Sequence, residues 1–171
     1  MSFDWNLAIE QEPPRESEAK VQWLQDKDAV RETIHRWMSY VDQRQWSELR
    51  DCFDANVYVD YTGLRPQPPA AWKELEDLIA SWRARYDTII AYQHHIGSFI
   101  GAIDGDVARC TGGSITTHHR RTVDGVGTEL WQVGATHRWQ LGRMNGRWRI
   151  THIAASKVWE RLERLSENTA T

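Results

Sequence analysis

Three histidines, one carboxylate and a tyrosine are the residues here whose types and spacing could move protons. His94 and His95 stand side by side in "IIAYQHHIGSF" (89–99), a stretch that alternates like a β-strand. Successive strand side chains point to opposite faces. Ile90, Tyr92, His94 and Ile96 share one face; Ala91, Gln93, His95 and Gly97 share the other. The first set is the more apolar, so His94 is expected inward and His95 outward. In 128–142, Trp131, Val133, Ala135, His137, Trp139 and Leu141 lie on one face, and an imidazole interrupts an otherwise apolar surface. In 106–120, Ala108, Cys110, Gly112, Ser114, Thr116 and His118 form a small-residue face suited to a cavity floor.

Asp42 follows Met38 by four residues and Ile34 by eight, continuing the inward stripe of a helix. A lone buried charge is costly, so this carboxylate needs a partner, and a sheet histidine could supply one. The carboxylate would fix the imidazole tautomer and raise its basicity. One inward histidine is routinely a structural residue with a satisfied partner. Three of them with an inward carboxylate point to an acid–base site. The chain has no P-loop, no GxGxxG after a strand, no HExxH, no CxxC and no GxSxG around Ser114. The histidines sit on separate strands without metal-ligand spacing, so no metal is expected.

These residues need elements to hold them. A helix is expected from a cap at Asp26, with Val30, Ile34, Trp37, Met38 and Val41 at helical spacing. A short second helix fits "QWSELRDCF", and "NVYVDY" (56–61) alternates as a strand. Pro66, Pro68 and Pro69 break the chain before a third helix with the stripe Trp72, Leu75, Leu78, Ile79, Trp82 and Tyr86. The period then changes to two. Strands are expected at 88–102, 106–120, 128–142 and 147–156, and Asn145-Gly146 is a strong hairpin signal. "SKVWERLERL" carries Val158, Trp159, Leu162 and Leu165 on one side and is expected to be a final amphipathic helix. Helices followed by a strand meander indicate α+β, one curved antiparallel sheet with helices packed on it.

At 171 residues the chain suits one domain, and 40% hydrophobic residues exclude a disordered chain. Residues 1–24, charged and containing Pro13-Pro14, read as an extension, 25–166 as the domain and 167–171 as a tail. A formal net charge of -3 argues against nucleic-acid binding. No apolar run approaches membrane-spanning length. The first residues lack a basic start followed by an apolar segment, and Cys52 and Cys110 make no disulfide framework. A cytoplasmic protein is expected. Ten tryptophans fit both a heavy core and a cavity for flat organic ligands.

The order of elements and the words "YVDQRQWSELRDCFDANVYVDYTG", "QHHIG" and "NGRWRITHIAASKVW" resemble the SnoaL-like branch of the NTF2-like superfamily, nearest the scytalone dehydratase family. The resemblance spans about residues 20–165. It implies a cone-shaped, cystatin-like α+β fold with three N-terminal helices and a C-terminal lid helix that places Trp159 over the ligand. It also implies cofactor-free chemistry. Carried over singly, Asp42 matches the family's helix aspartate, His118 the histidine it supports (with His119 adjacent), His94 the histidine of the Q-H-x-I-G strand, and Tyr61 a carbonyl-polarising tyrosine. The sequence departs from the pattern where Val41 stands for a tyrosine, with Tyr40 one position off, and where Ala135 and His137 replace a serine and an asparagine.

The expected function is a cofactor-free lyase, dehydratase-like, or an isomerase. Its substrate would be a small hydrophobic cyclic carbonyl compound. His118, oriented by Asp42, would take a proton; Tyr61 would stabilise the developing oxygen charge; His94 would pass a proton on. His137, Tyr40, Trp131, Ala135 and Trp159 would bind substrate. The rivals are a non-catalytic binding protein of the same fold and a structural subunit resembling the dioxygenase β-subunit. The outer sheet face leaves room for a homo-oligomer, a trimer before a dimer.

Overall fold

The structure is a computed structural model that describes residues 12–65 and 68–165. The element order is helix α1 (Ser17–Asp42), a 3-10 segment (Trp46–Asp51), strands β1 (Phe53–Gly63) and β2 (Ala71–Glu74), helix α2 (Leu75–Tyr86), and strands β3 (Ala91–Asp104), β4 (Val107–Arg121), β5 (Thr128–Met144) and β6 (Arg147–Leu165). The strands form one sheet in the order β2-β1-β6-β5-β4-β3. The helices lie on its concave face.

Helix α1 buries the stripe read from its spacing: Val30, Ile34, Trp37, Met38 and Val41. Trp37 packs edge-on to Phe53 at 5.3 Å and stacks on Trp82 at 5.6 Å, joining both helices to β1. Each large apolar side chain so buried contributes roughly 1.5–3 kcal/mol. The helix starts at Ser17, so Asp26 is no cap, and residues 17–24, read as part of an extension, form the first turns of this helix. Asp26 is buried inside the helix and accepts a two-pronged bond from Arg143 at 2.8 and 2.7 Å and one from the Trp148 indole at 3.2 Å. This pairing holds its carboxyl below the usual carboxylate range. Residues 1–11 and the tail 166–171 lie outside the described residues.

The sheet is mixed rather than antiparallel throughout, because β1 runs parallel to β6. The other strand pairs are antiparallel, with the β5–β6 hairpin turning at Asn145 and Gly146, both at positive φ. Trp72 belongs to β2, not to the helix stripe, and is mostly exposed. Ile90 precedes β3 and is exposed, while Ile89 is buried. A bulge between Gly97 and Ile100, with Ser98 at φ 50°, bends β3 and exchanges its faces.

The expected lid helix is absent. "SKVWERLERL" continues β6 as a strand to Leu165, paired with β5 back to Thr128. A helix there would leave the first half of β5 without a partner on that side, and backbone pairing overrides the helical spacing. Among the described residues no helix is long and apolar enough to cross a membrane.

Candidate active site

A cavity of about 600 Å³ opens between the concave face of the sheet and the two helices. Trp37, Met38 and Val41 of α1, Val59 and Tyr61 of β1, and Leu78, Trp82 and Tyr86 of α2 form its helix side. His94, Ser114, Thr116, His118, Trp131, Val133, Ala135 and His137 form its sheet side. The alternation is as read from the sequence: His94 lines the cavity, and His95 is exposed.

Asp42, the last residue of α1, reaches the start of β3. Its Oδ1 lies 2.6 Å from His94 Nδ1, and its Oδ2 accepts the His94 backbone N–H at 2.9 Å. The carboxylate is therefore satisfied by the ring and the backbone of one residue. It fixes Nδ1 as the protonated nitrogen and leaves the Nε2 lone pair toward the cavity. The Tyr86 hydroxyl donates to that Nε2 at 3.1 Å. The junction is tied down by Tyr92, whose hydroxyl donates to the Val41 carbonyl at 2.8 Å. Arg44, at φ 57°, bonds the carbonyls of Tyr86 and Ile89 and the Asp87 carboxylate.

This corrects the expected pairing of Asp42 with His118. The end of α1 lies over β3, and β4 is one strand further away. His118 is instead held between rings, stacked on Trp131 at 4.8 Å and on Tyr86 at 6.2 Å. Its Nδ1 meets only the Trp131 carbonyl, at 3.4 Å. Burial, then the nearby His94, push its pKa down to about 4, so at neutral pH it is an uncharged imidazole. His137 is likewise pushed down to about 4 by burial and by His94, and it stacks on Trp139 at 5.4 Å.

Tyr61 lines the cavity, and burial pushes its phenol up against a smaller opposing effect from the Trp82 indole. Burial does the same to Tyr86. Both phenols therefore keep their protons and can donate. Trp131 and Ala135 line the cavity as expected. Tyr40 does not; it packs partly buried against the core, one helical step away from Val41. Trp159 does not either. Ala135 pairs with Lys157 and Gly134 with Trp159, so Val158 is an extra residue that turns Trp159 to the outer face. There its indole occupies the space above Gly134, where a Cβ would come within 2.2 Å of it. The cavity receives Lys157 and Glu160 in its place, ion-paired at 3.0 Å.

Tyr86 is the candidate site residue not singled out from the sequence: it stood as the last member of an apolar stripe, yet it lines the cavity and bonds His94. Ser114 Oγ, His137 Nδ1 and Trp37 Nε1 are buried without a hydrogen-bond partner among the described residues, and all three residues line the cavity. No group of three or more His, Cys, Asp or Glu among the described residues is arranged to hold a metal ion.

A fold of this kind defines a class: an open, curved six-stranded sheet with helices packed across it over a cavity, and a carboxylate-clamped histidine at the cavity wall. Residues 22–154 match the SnoaL-like domain, and the chain belongs to that family. No curated protein matches it. Among solved structures it is similar to the Kfla4162 protein of Kribbella flavida, at 20% identity and a TM-score of 0.76 over 81% of this chain and 95% of that one. A candidate scytalone dehydratase of Novosphingobium aromaticivorans DSM 12444 follows at 12% identity and a TM-score of 0.69, over 85% and 93%. The hexachlorocyclohexane dehydrochlorinase LinA-type3 of Novosphingobium barchaimii LL02 matches at 13% and 0.67, over 86% and 94%. The fold is NTF2-like, or cystatin-like, as in a further Novosphingobium relative at 20% identity and a TM-score of 0.62, over 82% of this chain and 87% of that one.

Proposed function

We propose that this protein is a cofactor-free lyase, dehydratase-like, or an isomerase, acting on a small cyclic carbonyl compound. The observation that supports it is the line Asp42–His94–Tyr86 at the cavity wall. His94 Nε2 is the base, taking a proton α to the carbonyl, and Asp42 stabilises the imidazolium that forms. Substrate displaces the Tyr86 hydroxyl from Nε2. That hydroxyl and Tyr61 then donate to the oxygen on which charge develops. Uncharged His118 accepts a hydrogen bond from a substrate hydroxyl and orients it. In an elimination that hydroxyl leaves with the proton His94 took, as water, while the C=C bond forms; in an isomerisation His94 returns the proton to another carbon. Trp131, Ala135 and His137 shape the binding site. General acid–base catalysis of this kind is worth typically 10²–10⁴-fold per group. That neighbours of the fold include proteins named for dehydration and dehydrochlorination, both eliminations, is in keeping with this reading.

The test is carbon-acid exchange in deuterated water, followed by proton NMR on a panel of cyclic ketones such as 1-tetralone and 2-tetralone. The expected result is protein-catalysed loss of the α-proton signal, reduced at least 100-fold in His94→Gln. Exchange that survives His94→Gln, or none with any ketone, overturns the reading. The same reading includes a homo-oligomer, a trimer before a dimer, on the outer sheet face where Ile115 and Trp159 are each 42% exposed. Light scattering on the eluting protein decides that point, and a monomer refutes it.

A further inference from the structure

The helix-side rim of the cavity carries charge that the acid–base reading does not use. Arg65 just after β1, Lys73 of β2 and Arg85 of α2 all line the cavity and are exposed at its edge. Their side chains form no ion pair among the described residues. Four cationic and two carboxylate side chains line the cavity in all, whereas the chain as a whole has a formal net charge of -3. One cation and one carboxylate of that set, Lys157 and Glu160, neutralise each other at 3.0 Å. Glu160 is further held by the Trp131 indole at 3.3 Å. The unpaired remainder is Arg65, Lys73 and Arg85 against Asp77.

Their placement is local. Asp77, Ser81 and Arg85 recur every four residues and form one stripe of α2 at the mouth, with Lys73 four residues before it. The sheet wall opposite carries His94, His118 and His137, of which the last two are uncharged at neutral pH. Between the two walls the lining is apolar: Trp37, Met38, Val41, Val59, Leu78 and Trp82. Low-dielectric walls focus the field of unpaired charges into such a cleft. Guanidinium groups match a carboxylate with a planar fork, and the pair is strongest where water is partly excluded.

We infer that the ligand of this cavity is an amphipathic cyclic acid: its ring fills the apolar interior, and its carboxylate stays at the rim on Arg65, Lys73 and Arg85. The inference rests on the acid–base reading for what happens to the ring, and on the rim alone for the ligand's charge. It narrows the substrate from a neutral hydrophobic ring to a ring bearing a monoanionic group remote from the reacting carbon. A substrate held at both ends presents one carbon to His94, which is how remote binding energy orients a reaction.

The test is titration calorimetry with two probes of the same shape, 2-naphthoate and 2-naphthamide, on the full chain. Naphthoate is expected to bind at least about 10-fold tighter in low salt, an advantage that shrinks several-fold in 0.5 M NaCl as screening predicts. Arg65→Gln and Arg85→Gln should each weaken naphthoate about 3- to 10-fold and leave naphthamide unchanged. Equal affinity for the two probes, tighter binding of the amide, no binding of either, or variants that weaken both probes alike would overturn the inference. His94→Gln separates the two readings. It should keep the naphthoate preference while abolishing α-proton exchange. Exchange that depends on His94 in a protein with no naphthoate preference refutes the rim and leaves the acid–base site standing.

Discussion

His94 and His118 have ring centroids 6.5 Å apart on neighbouring strands, yet they live in opposite surroundings. His94 has a carboxylate on one nitrogen and a phenol on the other. His118 has two aromatic faces and a carbonyl at the limit of bonding distance. The first environment fixes which nitrogen carries the proton, and the second, by burial, opposes a charged ring. In the proposed reaction two adjacent imidazoles would thus divide the work, His94 as base and His118 as uncharged acceptor. The difference comes from which strand the end of α1 touches, not from the histidines.

The largest effect that could break this contrast is on turnover. In α-proton exchange, Asp42→Asn and His94→Gln should each lose 10²–10⁴-fold, and His118→Asn about 10-fold. Equal losses at His94 and His118 would erase the division of labour. Next in size is the response to acid. His118, His137 and His152 are all pushed down to about 4, chiefly by burial. The unfolded chain therefore takes up more protons than the folded one as pH falls from about 6.5 to about 4. Stability is present in full above that window and is lost through it, as measured by urea unfolding at stepped pH. His118→Asn should flatten the slope, and an NMR midpoint near 6.5 for His118 would contradict its placement. A smaller effect sharpens the geometry. Arg44→Ala removes the ties between the ends of α1 and α2 and the start of β3, and should cost about 1–2 kcal/mol together with a loss of exchange rate. Least of all, His95→Ala on the exposed face should change stability by under about 0.5 kcal/mol and leave exchange intact.

The alternation in 89–99 and 128–142 made the inward His94 and His137 legible, because period two is set by backbone geometry alone. The helical stripe placed Asp42 inward for the same reason. The partner of Asp42 was not legible: periodicity gives the face of an element but not which neighbour lies across from it. Tyr86 carried a signal that went unused, since a phenol on an apolar stripe needs somewhere to put its hydroxyl. Asp26 read as a cap because its type favours caps, while its partner Arg143 stands 117 residues away. The parallel pairing of β1 with β6 is equally non-local. "SKVWERLERL" has real helical spacing, and only the unpaired length of β5 decides against a helix.

The extra residue at Val158 has a consequence for how this cavity can change over generations. Deleting it would regularise the strand and leave Lys157 facing in, Trp159 out and Glu160 in. Straightening the strand at its full length would do the reverse: Val158 would pair with Gly134 and Trp159 with Val133, exchanging the inner and outer sides of every position from 159 to 165. The wall nearest the mouth is thus open to wholesale exchange with no codon gained or lost, and indifferent to the loss of the one for Val158. Lineages that lose the bulge but keep the residue should diverge in ligand abruptly, and lineages that drop the residue should keep theirs.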